Sequence, residues 1–202
     1  KFKHLNFPPN FKEISKKLFE SNLNNENLVN SVRDKAYIFC LNSNPLSHLM
    51  WSHYSRFHQG FMIEFKFPMN LESMQADNFH PMIVDYVEKY PEITGQVFQN
   101  SGATIRKIFL QKSKEWEYEK ECRIIRYGYF GTEFQTYERG KYLSNVIAGM
   151  NCSNEYYGEL ELAIRDMNAQ LGTHVELYRA KKIPNHYAIT VPNHPRLDVY
   201  GK

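Results

Sequence analysis

Short apolar runs that follow one another without a regular helix between them constrain this chain most. Residues 36–41, 61–67, 82–87, 143–148 and 175–180 are each of strand length and about half the length of an ordinary helix. Residues 121–129 and 187–191 add two more strand candidates. Helical spacing separates only some of these runs, so a doubly wound parallel sheet, which needs a crossover helix after every strand, does not fit. The pattern predicts an α+β fold: a single compact domain with a mixed or mostly antiparallel sheet and flanking helices. Residues 36–202 are expected to form this main domain, with 1–35 a helical segment packed on it.

The helices follow from spacing and caps. Asn10 precedes Phe11, Ile14 and Leu18 at helical intervals, and a shorter helix follows through Leu28, Val29 and Val32. Beyond the apolar run 36–41, read as a buried strand, Pro45 opens a helix that runs to about residue 58 and stops on a left-handed Gly60. In the next strand Phe61, Ile63, Phe65 and Phe67 share one face, while Met62, Glu64 and Lys66 share the other. Helical spacing returns at Ile105, Ile108, Phe109 and Lys112. Ser153 then caps a helix through Leu160, Ile164, Met167 and Leu171 that Gly172 closes.

Composition narrows the class. With 202 residues, 42% hydrophobic and 15% aromatic, the chain can bury a core and is too apolar for disorder. A net charge of +3 without a dense Lys/Arg block does not indicate nucleic-acid binding by charge alone. Cys40, Cys122 and Cys152 form no C-x-x-C pair, which argues against a disulfide framework and a thiolate zinc site. There is no apolar run of spanning length and no apolar leader, so a cytoplasmic location without a membrane partner is expected.

Two blocks carry the chemistry. The first is Met50-Trp51-Ser52-His53-Tyr54 running on to His58-Gln59-Gly60-Phe61; the second is Trp116-Glu117-Tyr118-Glu119-Lys120-Glu121-Cys122-Arg123. His48, His53 and His58 are spaced by five, which turns successive side chains by roughly 140° on a helix. They diverge, and no metal is expected. Trp51, Tyr54 and His58 instead fall at spacings of three and four, on one stripe. That stripe is either a platform for a planar ligand or ordinary core packing with hydrogen-bonded tips, and His53 is more simply structural. In the second block, strand alternation would align Glu119, Glu121 and Arg123, with one carboxylate paired to the guanidinium and the other left as a base or sugar ligand. The bland alternative is a solvent-facing salt-bridge ladder. Glu64 is a third carboxylate of interest, set among aromatic and aliphatic neighbours, or the solvent side of an edge strand. No G-x-S-x-G elbow, phosphate loop or G-x-G-x-x-G fingerprint occurs.

These blocks, together with Phe39-Cys40, Ile63-Glu64-Phe65, Val84-Asp85-Tyr86 and Val146-Ile147-Ala148-Gly149, resemble the bacterial family catalogued as domain of unknown function 2971. Cys122 stands where that family usually has a second Trp. The resemblance implies a bacterial cytoplasmic domain with no settled activity, linked with mobile elements and phage defence. The order of His, Tyr and Glu is also similar to the sparse signature of ADP-ribosyltransferase-like domains. By that analogy Trp51 and Tyr54 would stack nicotinamide, His53 or His58 would hold the ribose, and Glu121 would stabilise an oxocarbenium-like charge.

Two functions are therefore expected, from different classes. One is an enzyme acting on a nucleotide or NAD-type substrate by glycosidic cleavage or ADP-ribosyl transfer. Its catalytic candidates are Glu121, His53, Tyr54 and His58, and its ligand-binding candidates are Trp51, Glu64, Tyr118, Glu119 and Arg123. It requires no cofactor, NAD being a substrate. The other is a non-catalytic module that recognises single-stranded nucleic acid or a protein partner through Trp51, Tyr54, Tyr118 and Arg123.

Overall fold

The computed structural model describes residues 30, 33–67, 81–90, 101–127 and 137–199. The helices expected over 11–18 and 28–32 lie outside them, residue 30 excepted. The fold is α+β, with several small and mostly antiparallel sheets. By its internal contacts the chain divides into two units, each made of two separate stretches: 1–43 with 70–135, and 44–69 with 136–202.

In the first unit, β1 (Ala36–Asn42) pairs antiparallel with β6 (Glu121–Tyr127), which pairs antiparallel with β3 (Met82–Ile83). The run expected as one strand over 82–87 is divided. Val84 is buried and its N–H bonds Glu121 O at 3.1 Å, after which β4 (Asp85–Val87) pairs in parallel with β5 (Gln111–Ser113), a strand the sequence pattern did not disclose. Helix α1 of this unit (Ser101–Phe109) leads into β5, and a 3-10 helix (Lys114–Glu119) joins β5 to β6. Ile108, Phe109, Leu110, Val84 and Ile124 supply the buried apolar groups. β1 is not the buried strand expected, because Ile38, Phe39 and Cys40 in its middle are exposed.

The second unit is built on β7 (Leu143–Ala148), which pairs antiparallel with β2 (Phe61–Phe65) and in parallel with β8 (Glu176–Arg179). The hairpin β9 (Lys181–Lys182) and β10 (Ile189–Thr190) follows. Trp51, Ile147, Ala180, Ile189, Val191 and Leu197 form one core, with Met62 packed against it. Met62 thus lies on the inner side of β2, whereas Phe61 and Ile63 on the aromatic face are exposed. α4 of the molecule (Asn154–Leu171) begins and ends as its caps dictate: the Ser153 side chain accepts from Tyr156 N–H, and Gly172 is left-handed at φ 62°. A short α3 (Arg139–Tyr142) precedes β7.

The helix bearing the first block, α2 in this unit (His48–Tyr54), is shorter than expected at both ends. Ser47 caps it, so Pro45 lies before the helix and not at its first position. Its exit is made by Arg56, Phe57 and His58, left-handed at φ 49°, 55° and 67°, and Gly60 is not among the left-handed residues.

Candidate functional site

A buried ion-pair network centres on the start of β6. Arg123 grips Glu121 with a fork, Nε to Oε1 at 2.7 Å and Nη2 to Oε2 at 3.1 Å, and its third nitrogen bonds Phe109 O. Lys112, carried by β5, reaches both Glu119 and Glu121, the latter at 3.1 Å. Two cations and two carboxylates therefore balance in a place where isolated charge would be costly. Burial opposes ionisation of Glu121, which is 6% exposed, yet hydrogen bonds from Arg123, Cys40 and Lys112 and the guanidinium charge hold its carboxyl at about 2. The counterpart is Cys40: although the residue is exposed overall, partial desolvation of its thiol and bonding to that anion raise it to about 11, so it is no nucleophile at neutral pH.

Glu121 and Arg123 share a face of β6 as strand alternation requires, but Glu119 gets there differently. It ends the 3-10 helix, and Lys120 turns the chain left-handed at φ 48° before the strand begins. Glu119 is buried beside Glu121 because Lys112 draws both together. The solvent-facing ladder is thereby replaced by a buried network.

Beside this network a cleft of about 420 Å³ is lined by Ser43, Asp85, Tyr86, Glu117, Lys120 and Glu121 among others. Tyr86 fixes its wall, its hydroxyl oxygen accepting the Glu121 N–H at 2.7 Å. Ser43 donates to Lys120 O at 2.9 Å, and Asp85 is held by Arg106 at 2.7 Å. On the 3-10 helix that supplies Glu117, Trp116 and Tyr118 lie with ring centroids 6.0 Å apart, and Lys112 Nζ stands 5.1 Å from the Trp116 ring centroid. Trp116 is 43% exposed.

The first block, in the other unit, does not form the expected stripe. Trp51 is core, 4% exposed, with its indole N–H donated to Pro45 O at 2.8 Å. Tyr54 ends the helix and is 68% exposed, edge to face with the exposed His53. His58 does meet Trp51, stacked at 10° with centroids 6.2 Å apart, but it arrives there through the left-handed turn and not along a helix. Burial and the nearby His48 lower its pKa.

Glu64 is not on a solvent side. It sits on the inner face of β2, where Asn145 Nδ2, His194 Nε2 at 3.2 Å and Arg196 converge on its oxygens. His194, 2% exposed, accepts the backbone N–H groups of Arg196 and Leu197 at its Nδ1, both at 3.2 Å. Its proton is therefore on Nε2, facing the carboxylate, and burial lowers its pKa. Sequence reasoning missed Lys112, Asn145 and His194. Lys112 carries no local signal, since only the parallel pairing of β5 brings it to Glu121, and His194 meets Glu64 across 130 residues.

Geometry thus defines an α+β protein with a charge-balanced network under a polar cleft. Residues 50–124 match the family described as "Protein of unknown function (DUF2971)". No curated protein and no solved structure matches the chain. Among the described residues no helix is long and apolar enough to cross a membrane.

Proposed function

We propose that the cleft beside β6 takes a nucleotide-type ligand. The observation that carries this reading is the cleft itself, lined by Lys120 and by the carboxylates of Asp85, Glu117 and Glu121, with the exposed Trp116 on the same 3-10 helix as Glu117. Lys120 suits a phosphate, Asp85 and Glu117 suit ribose hydroxyls, and the half-exposed Trp116 suits a base ring. The network of Lys112, Glu119, Glu121 and Arg123 then serves as the frame that holds the cleft open. Trp51 takes no part, because its ring is packed into the core of the other unit.

An enzymatic version of the reading is favoured by the fork that Arg123 places on Glu121, which keeps this carboxyl ionised. A carboxylate held at about 2 is too weak a base to abstract a proton at neutral pH, but it is a fixed anion of the kind that stabilises oxocarbenium-like charge during glycosidic cleavage or ADP-ribosyl transfer on NAD. The resemblance to a bacterial family linked with phage defence supports a cytoplasmic role of this kind.

The test is titration of the chain with NAD, AMP and a short single-stranded oligonucleotide, followed by tryptophan fluorescence. Loss of the Trp116 ring should weaken binding by about 5- to 150-fold, as stacking of one base is worth roughly 1–3 kcal/mol, and Lys120→Ala should weaken it for phosphate-bearing ligands. Affinity untouched by both changes would remove the reading. Release of nicotinamide from NAD, abolished in a folded Glu121→Gln variant, would select the enzyme; binding without release selects the recognition module.

A further inference from the structure

Two ring nitrogens in the second unit are buried without a hydrogen-bond partner, and they belong to neighbouring histidines: Nε2 of His48 and Nδ1 of His58. The rings meet edge to face, with centroids 5.4 Å apart and planes at 68°. Buried polar atoms are nearly always satisfied, so two such atoms on adjacent rings call for a cause.

The chain puts His58 there against its local preference. Three consecutive non-glycine residues adopt the left-handed region to reverse the path after α2, and such backbone persists only where its surroundings enforce it. Asn151 N–H bonds His58 O at 3.0 Å, and the Asn151 side chain bonds Phe57 O at 3.0 Å. Gly149 lies so close that a β-carbon on it would fall 2.1 Å from His58 O. Trp51 stacks on the imidazole from one side. The Ser52 hydroxyl is 3.3 Å from His58 Nε2, where it can accept the ring proton and leave the lone pair on Nδ1.

We propose that His48 Nε2 and His58 Nδ1 ligate one divalent transition cation of the zinc class. Two imidazoles bound at about 2.0–2.1 Å with a tetrahedral angle have ring centroids roughly 5 Å apart, in keeping with the observed separation. Neutral imidazole nitrogens select Zn²⁺, Cu²⁺ or Ni²⁺ over the oxygen-seeking Mg²⁺ and Ca²⁺. Among the described residues no group of three or more His, Cys, Asp and Glu side chains is placed to hold an ion. The remaining positions fall to water brought in with the ion, since both nitrogens are themselves buried. Divergence of these histidines at a spacing of five applies to a continuous helix, and α2 ends before His58 is reached.

The experiment is zinc chloride titration of the EDTA-treated full chain by calorimetry, with Co²⁺ absorption as a second readout. One equivalent should bind with a micromolar dissociation constant, Mg²⁺ at the same concentration should give no heat, and His48→Gln should weaken zinc at least tenfold. His174→Gln, an exposed histidine elsewhere in the unit, should leave binding unchanged. Ser52→Ala keeps both ligands and should weaken zinc several-fold, which keeps the proposal testable if His48→Gln fails to fold. Absence of zinc binding, equal affinity in His48→Gln, or an equal loss in His174→Gln overturns it.

Discussion

Glu121 looks from its neighbours like a reactive carboxylate, yet its fork from Arg123 and its contact with Lys112 make it a fixed charge. Removing one partner of such a group leaves a buried charge uncompensated, so Arg123→Ala should cost roughly 3–5 kcal/mol in urea unfolding, more than a surface arginine would. The acid dependence has a definite direction. The folded carboxyl sits at about 2 and the ordinary value is 4.5, so the stabilisation is fully present above 4.5 and is lost as pH falls toward 2. Unfolding free energy measured between pH 6 and pH 2 should decline across this window, and Glu121→Gln should flatten the decline. The sequence disclosed that Glu121 and Arg123 share a face, because alternation is a property of any strand. It did not disclose Lys112, which arrives from β5 through a tertiary pairing with no local pattern behind it.

Elements whose ends are set by their own residues were legible, and those set by distant ones were not. β7 and α4 lie where the apolar run, Ser153 and Gly172 place them, since caps and periodicity act within a few residues. α2 stops early because its exit turn is held by Gly149 and Asn151, about ninety residues further on. The same distinction sets the size of two mutational effects. Ser153→Ala removes one cap bond from Tyr156 N–H and should lower stability by about 1 kcal/mol. Gly149→Ala drives a methyl group into the His58 carbonyl and should cost at least about 2 kcal/mol, seen as a fall of several degrees in Tm. Comparable effects from the two substitutions would mean that the turn yields easily.

At the scale of the molecule, each unit carries its own tryptophan and its own buried titrating network. His194 is neutral when folded, with its pKa lowered by burial, so its contribution is complete above 6.5 and is lost as pH falls from there through the folded value. Glu121 begins to matter only below 4.5. Acid titration should therefore loosen the environment of Trp51 at higher pH than that of Trp116. Single-tryptophan variants resolve the two signals by fluorescence, and one shared transition for both would show that the units lose structure together.

The pairing of β2 with β7 also sets a clock. Phe61 finds its partner Ala148 across more than eighty residues of chain, so at synthesis rates of roughly 5–20 residues per second β2 waits for about 4 to 16 seconds before β7 has even been made. Throughout that interval Phe-Met-Ile-Glu-Phe is an apolar strand with no sheet to join. Synthesis of this protein passes through a stage in which its central pairing is exposed to whatever else in the cell binds strands.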